Sequence, residues 1–335
     1  MDTVSHLFIG LGLGAMACNV PEIGADPALA LAVTIGTTLA SEAPDIDYFH
    51  KLTKGDAVYL KKHRGLTHSV MAWLLWPSVI TLGMTPFFDN LAWGWVWLWS
   101  FIAVLVHVGL DALNTFGTQA LLPFSNKRLS RDVLMVLDPI ILFTQVAGAA
   151  LWWMGVFPPG PLFGILNGCT VLYIAVRFAL HRRYVRLLAA RYETAKAVSV
   201  LPTFRFNRWT AIAETDSELV LGEWKGNRYR ETERLLKRSY NDSEQRFEIP
   251  DRETLKRISP AADTFFSIAG HIRHERIETD ETVRCIWTDL RFRFGNYYPF
   301  KAILEFDREG NLVSDFLAWR GNRNRAQRTY GGVEA

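Results

Sequence analysis

Residues 91–111 read LAWGWVWLWSFIAVLVHVGLD, an almost unbroken apolar run that ends in a histidine and an aspartate. About 20 helical residues are needed to cross the hydrocarbon core of a bilayer. Residues 91–110 are therefore predicted to span a membrane, with His107 and Asp111 near one end. Because ionisable side chains inside an apolar span are costly and usually functional, this pair is the first indication of a site.

Five further apolar runs lie before residue 181. Residues 69–88, 134–156 and 160–180 have about the length that a membrane span requires. Residues 6–20 and 27–41 are shorter and rich in Gly, Ala and Thr, which let helices approach closely within a membrane. These two runs predict either a tight hairpin that crosses only partly or two short spans.

The distribution of basic residues predicts the orientation. Residues 51–64, 127–131 and 181–186 carry Lys and Arg, whereas the turns at the opposite helix ends hold almost none. Six crossings would place all three basic segments on one side, which is the cytoplasmic side. We therefore expect a multi-pass protein of the bacterial inner (cytoplasmic) membrane with a cytoplasmic C-terminal domain.

The second half of the chain has a different composition. From about residue 182 charged residues are frequent, and residues 219–224, 283–294 and 300–306 alternate between apolar and polar as half-exposed strands do. Residues 307–311 have the sequence of a hairpin turn. This part is predicted to be a soluble α+β or mostly β domain.

Three regions follow from these patterns. We predict a mainly α-helical multi-pass membrane domain with about four to six membrane helices, followed by the soluble C-terminal domain. The boundaries are residues 1–182 for the membrane-embedded helical metal-site domain, 183–209 for a basic helix and linker, and 210–335 for the cytoplasmic α+β domain.

The titratable groups of the membrane half concentrate at the predicted cytoplasmic helix ends, where segments distant in sequence can surround one ion. We assign metal-ligand roles to His6, Asp47, His63, His68, His107 and Asp111, and catalytic roles to Glu42, Asp45 and Arg64. Each residue taken alone also has a plainer interpretation, such as solvating a helix end or contributing to the positive-inside bias.

The spacing supports convergence on a metal ion. His107 and Asp111 are four residues apart, which places both on one helix face. His63 and His68 converge only if a turn separates them, and Gly65 permits one; Thr67 is a candidate N-cap for the helix that follows. Mixed imidazole and carboxylate ligands suit a divalent ion, and we expect Zn²⁺ ahead of Mn²⁺ or Fe²⁺. Metal-bound water could lose its proton to Glu42 or Asp45, and Arg64 could hold an anionic group such as phosphate.

Several motifs in this order resemble the YdjM/YfhP-like family of membrane-bound metal-dependent hydrolases. They are residues 1–6 (MDTVSH), 42–47 (EAPDID), 63–69 (HRGLTHS), 107–111 (HVGLD), 116–118 (FGT), 123–125 (PFS) and 138–139 (DP). The resemblance covers roughly residues 1–200. It implies that the ligand and catalytic positions are His6, Asp45, Asp47, His63, His68, His107 and Asp111.

The leading hypothesis is a metal-dependent hydrolase that acts on a phosphoester or lipid-derived substrate at the cytoplasmic membrane face, with membrane lipid as its partner. A metal-handling transporter is an alternative, although it would need polar groups near mid-membrane. A non-catalytic membrane assembly or binding protein is another. We expect no nucleic-acid partner, because strand alternation explains Arg291 and Arg293, and we expect the His271–His274 stretch to be an exposed polar helix or loop.

Overall fold

The structure is a computed structural model that describes residues 1–48, 60–61, 63–237, 249–293 and 297–319. It divides into two compact units. The helical unit contains residues 1–48, 63–184 and 201–206. The sheet unit contains the remaining described residues. The basic residues Lys51, Lys54 and Lys62 lie outside the described part of the chain.

Helices dominate the first part of the chain. They are α1 (Thr3–Ala17), α2 (Pro21–Gly24), α3 (Pro27–Glu42), α4 (Val70–Met84), α5 (Trp93–Ala112), α6 (Pro139–Trp153) and α7 (Pro159–Arg191), with 3₁₀ turns at Ala43–Tyr48, Leu66–His68 and Thr85–Phe87. Side-chain caps define several of their starts: Asp2, Asp26, Ser69 and Asp138 each accept a hydrogen bond from a backbone N–H of the first turn. The predicted cap at Thr67 is wrong, since Ser69 takes that position.

Within the described residues, three helices are long and apolar enough to cross a membrane: Val70–Phe87, Trp93–Ala112 and Pro159–Arg191. Thr3–Ala17 and Pro139–Trp153 are apolar but shorter. The run at 134–156 gives a helix of 15 residues because Asp138 caps it and Pro139 occupies its first turn. The prediction of a helical membrane domain followed by an α+β domain is confirmed.

Close packing between α1 and α3 brings the start of one helix to the end of the other. A Cβ atom added at Gly10 would lie 2.6 Å from Ser41 Cβ and 2.8 Å from the Thr37 carbonyl oxygen. Only glycine therefore allows this approach. As a result, the Ser41 hydroxyl donates a 2.8 Å hydrogen bond to the backbone carbonyl of His6.

The basic segment after residue 182 is not a separate helix. It continues α7 without interruption to Arg191, so that a single helix of 33 residues runs from the apolar span into the charged region. No proline or other helix-breaking residue separates the two parts of the sequence after Pro161. Strand β1 (Ala197–Pro202) follows within the region predicted as a linker.

The sheet unit is built on two four-stranded sheets with orders β1-β2-β3-β4 and β5-β6-β7-β8. Strands β2 to β4 pair antiparallel, as do β5 to β8. The remaining bounds are β2 (Arg208–Glu214), β3 (Glu218–Lys225), β4 (Arg228–Leu236), β5 (Ile272–Glu278), β6 (Thr282–Asp289), β7 (Lys301–Asp307) and β8 (Leu312–Ala318), with helices α8 (Arg252–Ile258) and α9 (Pro260–Ile268) between β4 and β5.

The alternating stretches of the sequence form strands as predicted, with one difference at an end. Strand β6 stops at Asp289, whose side chain accepts a 3.0 Å hydrogen bond from the Arg291 backbone N–H and a 2.8 Å hydrogen bond from Arg291 Nη2. The predicted hairpin turn joins β7 to β8. There Asp307 accepts a 2.8 Å hydrogen bond from the backbone N–H of Asn311, and Gly310 has a φ of 89°.

The expectation of an exposed segment at His271–His274 is wrong. His271 is 4% exposed and lies directly before β5, within which the His274 ring stacks on Trp287. The Nδ1 atom of His271 lies 2.7 Å from Glu214 Oε2, and its Nε2 atom lies 2.9 Å from Ser199 Oγ. The strand was missed because polar residues occupy both of its faces, so that the sequence shows no alternation.

Candidate metal centre

Four side chains from three segments meet at one point in the helical unit. Asp45 lies on the 3₁₀ turn after α3, His68 ends the turn before α4, and His107 and Asp111 lie one turn apart on α5. One donor atom from each residue falls within 4.8 Å of those of the other three. The side chains of His68, His107 and Asp111 are fully buried, whereas Asp45 is 14% exposed.

The distances between these donors match the edges of a metal coordination tetrahedron. His68 Nε2 lies 3.2 Å from His107 Nε2, 3.3 Å from Asp111 Oδ2 and 3.5 Å from Asp45 Oδ1. His107 Nε2 lies 3.6 Å from Asp111 Oδ2 and 3.7 Å from Asp45 Oδ1. Ligands about 2.1 Å from a tetrahedral ion lie about 3.4 Å from each other. The four residues therefore fit a four-coordinate first-row metal ion.

The hydrogen bond at the far side of His107 fixes its tautomer. Its Nδ1 lies 2.6 Å from the carbonyl oxygen of Ser41. A carbonyl oxygen can only accept, so Nδ1 carries the proton and donates it. The Nε2 of the neutral ring then has no hydrogen and presents its lone pair to the other donors, as in metal-bound histidines oriented by a backbone carbonyl.

The same reasoning applies to His68 through Thr67. The Thr67 hydroxyl donates to Asp47 Oδ2 at 3.2 Å, so its oxygen can accept from His68 Nδ1, which lies 3.1 Å away. His68 Nε2 is then also without a hydrogen. Burial lowers the pKa of His68 to about 4, which keeps the ring neutral. Two imidazole lone pairs and two carboxylate oxygens thus face one another, and a cation at their centre would balance them.

Asp47 organises the loop that carries His63 and His68. It accepts hydrogen bonds from His63 Nδ1 at 2.8 Å, from the Arg64 backbone N–H at 2.9 Å and from the Thr67 hydroxyl. Burial acts to raise the pKa of Asp47, but the hydrogen bonds from His63 and Arg64 outweigh it and lower the pKa. Asp47 is therefore an ionised anchor beside the group of four, not one of its members.

Arg64 points into the protein and is 3% exposed. Its Nε lies 2.9 Å from Asp111 Oδ2, its Nη1 donates to Asn114 Oδ1 at 2.9 Å, and its Nη2 donates to the Met1 carbonyl at 3.1 Å. A φ of 61° places its backbone in the left-handed region, which costs about 1 kcal/mol. This conformation directs the guanidinium towards Asp111, whose charge it balances.

Two predicted site residues lie beside the group of four. His6 stacks on His107 with ring centroids 3.8 Å apart, and its Nε2 lies 3.3 Å from Asp111 Oδ1, the oxygen that also contacts the Met1 amino group. Glu42 is the last residue of α3, and its Oε1 is buried without a hydrogen-bond partner among the described residues.

Sequence reasoning missed the residues that orient the donors. Ser41 and Thr67 set the tautomers of His107 and His68, and Asn114 is buried and accepts hydrogen bonds from the Arg64 side chain and the backbone N–H of Gly117. Asn114 follows Asp111 by three residues, which was a usable indication. Ser41 and Thr67 resemble ordinary helix-end residues, and no pattern separates them from such residues.

Fold and site together define a membrane protein with several membrane-spanning helices and a buried His/Asp cluster that could hold a metal ion. The chain belongs to the YdjM inner membrane protein family, whose model matches residues 1–184. A second model, the YfhP C-terminal alpha/beta plait domain, matches residues 256–329. The resemblance inferred from the sequence motifs is confirmed.

A relative in Bacillus subtilis (strain 168), "Uncharacterized protein YfhP", is 31% identical over 331 residues, which cover 98% of each chain. The two proteins therefore share both the helical and the sheet region. No solved structure matches the chain.

Proposed function

We propose that this protein is a membrane-bound metal-dependent hydrolase whose metal ion is held by Asp45, His68, His107 and Asp111. The observation that carries the proposal is the set of five donor distances between 3.2 and 3.7 Å among these residues. Zn²⁺ suits this ligand set, and Mn²⁺ or Fe²⁺ are the alternatives. A metal ion bound there that takes water as a fifth ligand would lower the pKa of that water and supply hydroxide near neutral pH.

The accessible side of the cluster supports a catalytic role. Among the four donors Asp45 alone is partly exposed, so water and substrate reach the centre past this residue. Glu42 lies three residues before Asp45, and its Oε1, which has no hydrogen-bond partner among the described residues, could take a proton from water. His6, stacked on His107, restricts the ring of that ligand.

Arg128 is better placed than Arg64 to meet an anionic substrate group. Arg64 is engaged with Asp111, whereas Arg128 packs over the Phe116 ring and donates to the backbone carbonyl of His63 at 3.2 Å. Burial lowers the pKa of Arg128 to about 10, so it remains charged at neutral pH. A charged arginine beside His63 suits a phosphoester, and a lipid-derived one fits a site on membrane helices.

The predicted orientation of the helices in the membrane is consistent with this proposal. The basic segments predict that this end of the helices and the sheet unit are cytoplasmic. A transporter is less well supported, because Gln145 of α6 and Asn167 of α7 are neutral amides that hydrogen-bond to each other at 3.0 Å. Charged or carboxylate ligands would be expected on an ion pathway.

The test uses the full-length protein purified in detergent. We expect bound transition metal by elemental analysis, and metal-dependent hydrolysis of bis(p-nitrophenyl) phosphate that a chelator abolishes. His107→Ala should lose both, and the matched control His181→Ala should keep both. A wild-type protein that binds no transition metal would contradict the proposal.

A further inference from the structure

We propose that the centre holds two metal ions, with Asp45 bridging them and with His63 and Asp47 supplying the other protein donors of the second ion. This inference rests on the proposed function. It assigns a second subsite and narrows the substrate class to phosphoesters, for which paired ions clamp the attacking and the leaving oxygen.

The geometry of a second donor group carries the inference. Donor atoms of Asp45, Asp47 and His63 lie within 4.8 Å of one another, and Asp45 also belongs to the group of four. A carboxylate has two oxygens and can bind a different ion with each. The shared position of Asp45 is thus the arrangement that a bridging ligand requires.

The buried oxygen Oδ1 of Asp45 faces His68 and His107 and belongs to the first ion, which leaves Oδ2 of the shared residue for a second ion. Asp45 Oδ1 is buried and has no hydrogen-bond partner within the part of the chain that the structure describes. A buried carboxylate oxygen without a donor costs free energy of desolvation unless a cation compensates it. The two histidine nitrogens nearest to it, on His68 and His107, carry no hydrogen towards it.

His63 is oriented as metal-bound histidines are. Its Nδ1 lies 2.8 Å from Asp47 Oδ1, and Asp47 is anchored by the backbone N–H of Arg64. Such a carboxylate–histidine pair fixes the ring, and each Asp47 oxygen keeps a further lone pair beside its hydrogen bond, so Asp47 can bind the ion while it orients His63.

The ligands of the two subsites differ in their exposure to solvent. His68, His107 and Asp111 are fully buried, so that the first ion is reached only past Asp45. His63 and Asp45 are each 14% exposed. The second subsite is therefore the one that water and a phosphoryl group reach, and Arg128 lies next to it through the backbone of His63.

Counting ions in the full-length protein tests the second subsite. Protein loaded with Mn²⁺ and freed of excess metal should contain about two ions per chain and show the electron paramagnetic resonance signal of a coupled pair. His63→Ala should retain about one ion and show only an uncoupled signal. His181→Ala, the same substitution away from the centre, should behave as wild type.

The outcomes separate this inference from the proposed function. One ion in wild type that His63→Ala also retains would overturn the second subsite and leave the hydrolase proposal standing. No ion in wild type would overturn both. If His63→Ala does not purify as a folded protein, Asp47→Asn decides on the same count: loss of one ion supports the second subsite, and retention of two contradicts it.

Discussion

The helical unit and the sheet unit each bury histidines next to carboxylates, and the two clusters differ in where their protons lie. In the sheet unit, His271 contacts Glu214 with one ring nitrogen at 2.7 Å and Ser199 with the other at 2.9 Å. In the helical unit, His68 and His107 use their Nδ1 atoms on neighbouring groups and point their Nε2 atoms at each other, 3.2 Å apart.

This difference separates a histidine that stabilises a fold from one that can bind an ion. His271 has a partner for both nitrogens, so nothing further is needed to satisfy it. The Nε2 atoms of the helical cluster meet lone pairs of Asp45 and Asp111 instead of protons. A buried histidine beside a carboxylate is therefore weak evidence for a metal, and convergence of several hydrogen-free donors is strong evidence.

The largest effect is expected from Asp111→Ala. The substitution removes a donor and leaves Arg64 buried without the carboxylate 2.9 Å from its Nε. Stability should fall by about 4 kcal/mol, because an uncompensated buried charge remains. Denaturant unfolding of the detergent-purified protein measures it. The double variant Arg64→Met/Asp111→Leu should recover part of the loss, and equal destabilisation of both variants would refute this account of Arg64.

The next largest effect is expected in the stability of the sheet unit as the pH falls. Burial lowers the pKa of His274 to about 4, below the value near 6.5 expected when the chain unfolds. The unfolded state therefore binds the proton first, and stability that is complete above about pH 6.5 should decline by on the order of 3 kcal/mol as the pH falls to about 4. Hydrogen exchange of β5 and β6 peptides should report the decline, and His274→Gln should flatten it. An unchanged pH profile in that variant would exclude His274 as the cause.

A smaller effect is expected from His271→Ala, which sharpens the comparison directly. Loss of its hydrogen bonds to Glu214 and Ser199 should cost the sheet unit about 2 kcal/mol. The hydrogen bond from His271 also lowers the pKa of Glu214 to about 2. The pKa of Glu214 should therefore rise in the variant. Metal content and hydrolysis should match wild type, and a loss of metal would break the distinction between the two clusters.

The smallest effect is expected from Thr67→Val, which keeps the shape of the side chain and removes the hydroxyl between His68 and Asp47. Metal affinity should fall about 10-fold, as is common when the outer hydrogen bond of a ligand is lost. Competition with a chromophoric chelator measures the affinity, and Thr203→Val is a matched control at a half-buried position outside the metal-binding group. An affinity equal to wild type would mean that Thr67 does not orient His68.

The sequence was sufficient for the parts of the structure that depend on local spacing. The four-residue interval between His107 and Asp111 gives one helix face whatever surrounds it. Alternation in residues 219–224 and 300–306 likewise predicted β3 and β7. The meeting of His68, His107 and Asp111 was predicted because each lies at the end of an apolar run on the side of the basic segments.

The remaining features depend on tertiary contacts. The role of Arg64 against Asp111 follows from a left-handed backbone conformation that nothing in its neighbours demands. Ser41 acts through its backbone carbonyl, which every residue has. Strand β5 carries polar residues on both faces, and one of them, His274, stacks on Trp287, so no periodicity marks the strand.

X-ray absorption spectroscopy of the zinc-loaded full-length protein tests the metal centre most directly. The account predicts a shell of nitrogen and oxygen atoms at about 2.0–2.1 Å, outer scattering from imidazole rings, and a weaker imidazole contribution in His107→Ala. A spectrum of fully hydrated zinc, or one that His107→Ala leaves unchanged, would contradict it.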